Sequence, residues 1–187
     1  MKDIIASLRM LVWMTLLCGA IYPLASAGVS RVLFKDKADG SLVTVNGTVV
    51  GSSLLAQNFS APKYFWPRPS AAGNGYDPTS SGGSNLGPTS AALVKAVADR
   101  RMAWSRSNPG EGEVPQDLLF ASGSGLDPHI SPEAARYQVA RVAAARQWDA
   151  AKVQALVDQQ TEGPTFGVLG EPRVNVLQLN LALDAQR

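Results

Sequence analysis

Hydrophobic residues concentrate near the start of the chain, in a run over 10–30 that carries no charged side chain and is bounded by Arg9 and Arg31. The run is 21 residues long, and a helix of that length rises about 30 Å, the thickness of the hydrocarbon core of a bilayer. The pattern therefore predicts a transmembrane helix at 10–30, with a short tail at 1–9 before it and one domain at 31–187 after it.

A cleaved secretory signal is the alternative interpretation of this run. Ala25-Ser26-Ala27 offers the small residues of a cleavage site after an apolar core at 11–21. Apolar residues nevertheless continue beyond that site through 32–34, as expected for a helix that stays in the membrane. Lys and Arg occur on both sides of the run, so the charges do not fix its orientation. The pattern leaves both alternatives open and favours the retained anchor.

Beyond the run, the hydrophobic pattern changes to short segments separated by Gly and Pro. Val and Thr residues on both sides of Asn46-Gly47 predict a β-hairpin over 42–50, because this dipeptide accepts the positive φ angles of a two-residue turn. Helical spacing predicts three helices. The first is opened by Pro88 with Leu93, Val94, Val97 and Trp104 on one face, the second is capped by Ser131 with Pro132 at its first position, and the third is capped by Asp149 with Val153, Leu156 and Val157 buried.

Two further segments are predicted as strands. Leu118, Leu119 and Phe120 form a short apolar run typical of a buried strand, and leucines alternate with polar or small residues over 174–183 with the period of two expected for a strand. A C-terminal helix is the alternative for the last few residues of that segment. Together the elements predict a mixed α/β (α+β) domain with a β-hairpin and about three helices, preceded by one transmembrane helix.

Aromatic residues and prolines are interleaved over 64–69, in the order Tyr-Phe-Trp-Pro-Arg-Pro. A proline restricts its own φ angle and the residue before it, so the segment is not expected to form a regular helix. If buried, the three aromatic side chains fill the core beneath an irregular loop; if exposed, they form a contact surface for a partner. Core filling is the preferred interpretation, and the partner surface stays open.

Charge and cysteine content narrow the classes of function. The chain has 17 Lys and Arg and 15 Asp and Glu, a net charge of +2, which predicts no basic surface for nucleic acid. The single cysteine, Cys18, lies in the apolar run, and the single histidine is His129. The domain at 31–187 therefore needs no disulfide, and no thiolate or histidine-rich metal site is predicted.

Two Ser/Gly-rich loops are candidates for anion binding. Ser81-Gly82-Gly83 precedes the helix that Pro88 is predicted to open, and a second loop at 122–131 precedes the helix capped by Ser131. Glycines let backbone N–H groups approach an anion, and a helix N-terminus adds partial positive charge. Neither loop has the lysine of a P-loop or the Gly-x-Gly-x-x-Gly spacing of a dinucleotide site. Tight packing loops are the preferred interpretation.

Residues of the second loop also supply the types found in a hydrolytic triad. Ser122 or Ser124, with Asp127 and His129, offers a nucleophile, an acid and a base. They all lie within one loop, and no Gly-x-Ser-x-Gly elbow precedes a helix. Turn chemistry is therefore the preferred interpretation for Asp127, and a backbone contact is preferred for His129.

Several segments taken together resemble the C chains of the bacterial Kdp complexes, which are high-affinity potassium-transporting P-type ATPases. The resemblance runs nearly from end to end and includes one N-terminal span. Its motifs are Tyr64-Phe65 with Arg68-Pro69-Ser70-Ala71, the segment 80–88, the segment 122–131, Tyr137-Gln138 with Arg141-Val142-Ala143, the segment 170–177, and Leu179-Asn180-Leu181-Ala182-Leu183-Asp184.

The resemblance implies a subunit of an ATP-driven potassium import complex, without catalysis of its own. It implies three partner chains: a channel-like chain that carries potassium, a P-type ATPase chain and a small single-span chain. It also implies a retained single-pass anchor in the bacterial inner membrane, with the N-terminus cytoplasmic and the domain extracytoplasmic. The resemblance further implies a catalytic chaperone that raises the affinity of the ATPase chain for ATP, with a glutamine in nucleotide contact. The nearest candidates for shared ATP contact are Gln138 and Ser81-Gly82-Gly83.

An extracytoplasmic domain conflicts with direct nucleotide contact, because ATP and the nucleotide site of the pump lie on the other side of the membrane. The alternative function is a purely structural or ion-entry subunit that caps the channel-like chain on the outer face. Asp77, Asp127 and Asp184 would guide potassium by weak, screened attraction. Turn or cap chemistry is the preferred explanation for each of these residues.

Overall fold

The computed structural model describes residues 1–186, which fall into two compact units. The first unit is Met1–Ser52, and the second begins at Ser53. The fold is mixed α/β, with an N-terminal apolar helix, a β-hairpin, a small sheet and several further helices. This confirms the fold class predicted from the hydrophobic pattern.

Helix α1 (Lys2–Leu33) forms most of the first unit. It is long and apolar enough to cross a membrane, and none of its residues is buried against the rest of the chain that the structure describes. A π-helical turn at Leu17–Ile21 interrupts the α-helical hydrogen bonding just before Pro23. Proline has no N–H to donate, and a local change of helical pitch accommodates that loss.

A short helix, α2 (Lys35–Ala38), leads into the hairpin formed by β1 (Leu42–Val45) and β2 (Thr48–Ser52). Asn46 and Gly47 have φ angles of 50° and 79°, as a two-residue turn requires. The hairpin predicted from this dipeptide is therefore confirmed.

The second unit contains the remaining elements. Its helices are α3 (Ala91–Ser107), α4 (Gln116–Leu119), α5 (Pro132–Arg136), α6 (Val139–Arg146), α7 (Ala150–Gln159) and α8 (Val176–Ala185). Its strands are β3 (His129–Ile130), β4 (Thr161–Glu162) and β5 (Arg173–Asn175), which pair antiparallel in the order β3-β5-β4.

The hydrophobic core of this unit lies where β5 meets the helices that pack on it. Its fully buried members include Phe65 from the aromatic segment, Leu118 from α4, Val142 from α6, Val153 and Val157 from α7, Val174 from β5, and Leu179 and Leu183 from α8. The buried face predicted for the helix capped by Asp149 is confirmed, and Asp149 Oδ1 accepts from the Ala151 N–H at 2.9 Å. Ser131 Oγ likewise caps α5 by accepting from the Ala134 N–H at 3.0 Å.

The first predicted helix begins later than expected. Pro88 lies in the preceding turn, and α3 begins at Ala91 with Ser90 as its N-cap. A serine side chain can accept from the free N–H groups of the first turn, which proline cannot do. Of the predicted apolar face, Trp104 is buried, Leu93 and Val97 are half-buried and Val94 is exposed.

The strand predicted at 118–120 is wrong. Leu118 and Leu119 are buried as predicted, but they lie in helix α4, and the chain becomes extended only at Phe120. A short apolar run has the same composition in a buried strand and in a buried helical turn. The Phe120 N–H donates to the Gln116 carbonyl at 3.0 Å, which closes that turn.

The long C-terminal strand is also wrong beyond Asn175, where the chain turns into α8. The Asn175 side chain accepts from the Gln178 N–H at 3.2 Å and caps the helix. Buried positions fall at Val176, Leu177, Leu179, Asn180 and Leu183. These spacings of three and four residues belong to one helix face, so the alternating leucines also fit a helix. The helix held as the alternative begins earlier than expected.

Candidate functional site

The aromatic segment 64–66 lies between helices α6 and α8 of the second unit. Phe65 is fully buried, and Tyr64 and Trp66 are half-buried. The Trp66 ring lies 5.2 Å from the Trp104 ring of α3, measured between centroids. The interpretation that these aromatic residues fill the core is confirmed for Phe65.

Two buried amide side chains hold the backbone of this segment. Asn180 Oδ1 accepts from the Phe65 N–H at 2.8 Å, and its Nδ2 donates to the Phe65 carbonyl at 3.0 Å. Gln138 does the same for the next residue, since Oε1 accepts from the Trp66 N–H at 2.8 Å and Nε2 donates to the Trp66 carbonyl at 3.1 Å. Polar backbone groups of successive residues in an extended chain point to opposite sides. The two amides therefore replace the two strands that would otherwise flank the segment.

Arg141 closes the network around the start of the segment. Its Nη1 donates to the carbonyls of Pro62 at 2.7 Å and Tyr64 at 3.0 Å, and its Nη2 donates to Gln138 Oε1 at 2.7 Å. The guanidinium carbon lies 3.9 Å from the Trp66 ring centroid, within cation–π range. Burial lowers the pKa of Arg141 to about 10, so the side chain stays charged at neutral pH.

A second arginine binds the segment from the other end of α6. Arg146 Nη2 forms an ion pair with Asp184 Oδ1 at 2.8 Å, and Nε donates to the Lys63 carbonyl at 2.8 Å. The Tyr64 hydroxyl donates to Asp184 Oδ2 at 2.9 Å. Desolvation acts to raise the pKa of Asp184, but the hydrogen bonds from Arg146 and Tyr64 outweigh it and hold the pKa below its usual value.

Gln138 is therefore part of the fold. It lies between α5 and α6, where the helix predicted to follow Ser131 is interrupted, and it is fully buried. Its Oε1 accepts from Trp66 and Arg141, and its Nε2 donates to Trp66 and to the Ala134 carbonyl at 3.2 Å. All the hydrogen-bonding capacity of this amide is used inside the protein.

The two Ser/Gly loops pack against each other. The Gly82 N–H and the Ser81 hydroxyl both donate to the Ser124 carbonyl, each at 2.9 Å. A Cβ on Gly83 would lie 2.9 Å from the Gly123 carbonyl oxygen. Gly125 has a φ of 67°, and a Cβ there would lie 2.7 Å from Gly82 O. The preferred interpretation, tight packing loops, agrees with these contacts.

A groove of about 520 Å³ runs beside the paired loops. Asp127 contributes the one charged side chain among the described residues that line it. A carboxylate repels phosphate, so this lining does not favour a nucleotide. Within the described chain, no hydrogen bond connects Gln138 with 81–83. Nucleotide contact by Gln138, Ser81, Gly82 and Gly83 stays a prediction.

Of the residues considered for a hydrolytic triad, His129 Nδ1 lies 3.5 Å from Asp127 Oδ1, but the two serines bond within their own turn. Asp127 Oδ1 accepts from the His129 backbone N–H at 3.0 Å, and Oδ2 forms an ion pair with Arg68 at 3.1 Å. Ser122 and Ser124 contact each other, with 3.1 Å between their hydroxyl oxygens, and neither bonds to His129 in the part that the structure describes. Burial acts to raise the pKa of Asp127, but bonds from His129 and Arg68 lower it on balance.

The other two acidic residues considered for potassium guidance also serve the fold. Asp77 Oδ1 accepts from the N–H of Thr79 at 2.9 Å and from its hydroxyl at 2.7 Å, which is a local turn. Asp184 carries the ion pair with Arg146.

Sequence reasoning from the residues missed Asn180 and Arg141 as partners of the aromatic segment. Phe65 and Asn180 are separated by 115 positions, and no local pattern connects them. A buried asparagine on the apolar face of a predicted helix is the signal that marks such a partner, because it must bond inside the core. A strand prediction over 174–183 hides that signal, because it places Asn180 on the polar face.

The chain is similar to known proteins over nearly its whole length. The family model described as "KdpC: K+-transporting ATPase, c chain" matches residues 4–185. A potassium-transporting ATPase KdpC subunit from Rhodospirillum rubrum is 57% identical over 172 residues, 91% of this chain and 89% of that protein. Proteins of the same name from Dechloromonas aromatica and Geobacter sulfurreducens are 55% and 51% identical, and cover 96% and 98% of this chain and 95% and 98% of their own lengths.

Proposed function

The chain belongs to the KdpC family, the c chains of K+-transporting ATPases, and on that premise we propose that it is a non-catalytic docking subunit. Its helix α1 anchors it in the membrane, and its second unit stabilises the assembled pump by contacting the other chains. Potassium is the ion that the pump transports. One observation carries this proposal. The polar side chains of the candidate site are all bonded within the fold, where they hold the aromatic segment.

The anchoring role rests on α1. This helix is apolar along a length sufficient for a bilayer, and the family model begins at residue 4, inside it. We place the anchor in the bacterial inner membrane, with its N-terminus cytoplasmic and the second unit outside. A C-terminal tag on intact spheroplasts should then be cleaved by an added protease, and a tag protected until lysis would contradict this orientation.

The partners in this proposal are a channel-like potassium-translocating chain, a P-type ATPase chain and a small single-span chain. Docking on them is also the route by which the subunit would act as a catalytic chaperone and raise the ATP affinity of the ATPase chain. Two observations support an indirect route. Gln138 has no free hydrogen-bonding atom, and the groove beside Ser81 is lined by Asp127 and by no cation of the described chain.

Purified pump with and without this chain tests the proposal. Without it, we expect loss of the assembled complex, and a higher ATP concentration for half-maximal K+-stimulated hydrolysis in whatever complex survives. A complete complex with an unchanged ATP dependence would contradict both roles.

Titration of the purified full-length chain with ATP tests the direct route. We expect no saturable binding. Saturable binding that a folded Ser81→Ala variant loses would instead support nucleotide contact at the Ser/Gly loop.

A further inference from the structure

The connection between β4 and β5 forms a projecting hairpin over 163–172. The Thr165 N–H donates to the Leu169 carbonyl at 2.8 Å, and the Leu169 N–H donates to the Thr165 carbonyl at 2.9 Å. At its base, Glu162 and Arg173 form an ion pair at 3.1 Å. Since β5 is the central strand and its Val174 is fully buried, the base of the hairpin is fixed to the core.

The turn at the end of this hairpin has an unusual residue for its conformation. Phe166 and Gly167 have φ angles of 55° and 76°, both in the left-handed region that favours glycine. Glycine, asparagine and aspartate are the residues that favour such angles, and a bulky aromatic residue is uncommon there. The chain therefore holds a phenylalanine in a position that its own backbone preference disfavours.

That phenylalanine is turned out to solvent. Phe166 is 90% exposed, Val168 is 79% exposed and Leu169 is 59% exposed. Isolated exposed apolar residues are common on proteins, but three within four positions on a projecting turn form a patch. We name these three residues the apolar tip. The hydrogen bonds of the turn join backbone atoms, so they do not require these side chains.

The charges of the segment 163–172 indicate what kind of surface binds the apolar tip. Between 163 and 172 the chain has no lysine or arginine, and its one charged residue is Glu171. Segments that lie on a bilayer surface carry cations that bind anionic headgroups, and this segment has none. Since the tip is convex, it fits a concave surface, and two tips cannot enclose each other. A rigid turn that presents an aromatic side chain is typical of a protein–protein anchor.

We propose that the apolar tip inserts into a concave, apolar surface on another chain of the K+-transporting ATPase. This inference rests on the proposed docking function and names the docking element. A positive φ at Phe166 costs free energy, and burial of the ring in the partner offsets that cost.

The variant Phe166→Asn separates assembly from folding. Asparagine tolerates a positive φ, so the thermal midpoint of the purified full-length chain should be unchanged or higher. The amount of chain that co-purifies with the pump from solubilised membranes should fall about tenfold or more, the effect of removing a main anchor. Val168→Ser should also weaken co-purification. Val94→Ser, at a residue 63% exposed on α3, is the matched control and should assemble normally.

Normal co-purification of the Phe166→Asn and Val168→Ser variants would overturn the inference while leaving the docking function intact. Failure of the unsubstituted chain to co-purify would overturn the docking function itself. Flotation with phosphatidylglycerol-containing vesicles and size-exclusion chromatography test the other occupants. Phe166→Asn could weaken vesicle binding or self-association while pump assembly is unchanged. The tip then binds lipid or a second copy of this chain, and the inference is wrong.

Discussion

The side-chain amide of Asn180 pairs with the backbone of Phe65 through both of its polar atoms, at 2.8 and 3.0 Å. This pair joins helix α8 to the aromatic segment across 115 positions of the chain. A strand neighbour would satisfy the same two backbone groups in a sheet. Here the buried side chain of Asn180 satisfies them. The residue at this position must therefore carry both a hydrogen-bond donor and an acceptor.

The first prediction concerns that pair. Asn180→Leu keeps the volume nearly constant but leaves the Phe65 N–H and carbonyl buried without partners. Each such group costs about 1–3 kcal/mol, so the free energy of unfolding should fall by about 2–6 kcal/mol. Urea unfolding of the full-length protein in detergent measures this. Gln178→Leu, at an exposed position of the same helix, should change it little, and equal effects of the two substitutions would contradict the assignment.

The second prediction is that Gln138 stabilises the fold. Gln138→Leu removes the partners of the Trp66 backbone and one acceptor of Arg141, so the free energy of unfolding should fall by about 2–4 kcal/mol. Complex that still assembles should need the same ATP concentration for half-maximal hydrolysis. Gln159→Leu, at an exposed position of α7, is the control. A Gln138→Leu chain of normal stability whose pump requires more ATP would favour nucleotide contact.

The third prediction tests the packing of the two Ser/Gly loops. Gly125→Ala places a methyl group 2.7 Å from Gly82 O at a residue whose φ is 67°. Backbone strain and overpacking together should lower the free energy of unfolding by about 2–5 kcal/mol. A Cβ at Gly123 has no atom of the described residues within 4 Å, so Gly123→Ala should be tolerated. Similar thermal midpoints for the two variants would contradict the close approach of the loops.

The fourth prediction concerns acid stability. The pKa of Asp184 is lowered in the folded chain despite the opposing effect of desolvation, because Arg146 and Tyr64 bind the carboxylate. A carboxyl with a lowered folded pKa stabilises fully above its unfolded value of about 4, and this contribution is lost as the pH falls through the folded value. Asp184→Asn should therefore lose less stability than the unsubstituted chain when the pH falls from about 5 to 2.

Thermal unfolding over that pH range is the measurement for this prediction. Glu171→Gln, at an exposed carboxylate, should keep the pH dependence of the unsubstituted chain. Parallel curves for Asp184→Asn and the unsubstituted chain would show that the ion pair with Arg146 does not contribute.

Local chemistry predicted the parts of the fold that depend on neighbouring residues. Asn46-Gly47 forms its turn, and Ser131 and Asp149 cap their helices, because a cap or a turn is decided within a few positions. The strand predicted over 174–183 is wrong beyond Asn175, because alternating leucines fit both a strand and a helix whose buried face includes Asn180. Only the cap formed by Asn175 and the packing of α8 decide between them.

The network around the aromatic segment could not be predicted from local patterns. The backbone of Trp66 bonds to Gln138, 72 positions away, and the Tyr64 hydroxyl bonds to Asp184, 120 positions away. The motifs that carry the family resemblance contain Gln138, Arg141 and Asn180, but they do not show what these residues contact. Only the folded chain connects them to 64–66.

Intact mass and co-purification together test most directly the central claim, that this chain is an anchored docking subunit. A tagged chain is isolated from solubilised bacterial membranes, its mass is determined, and the proteins that elute with it are identified. We expect a mass that includes α1 (Lys2–Leu33), together with the other chains of the K+-transporting ATPase. A mature protein that begins at Gly28 and is recovered from the soluble fraction without those chains would contradict the account.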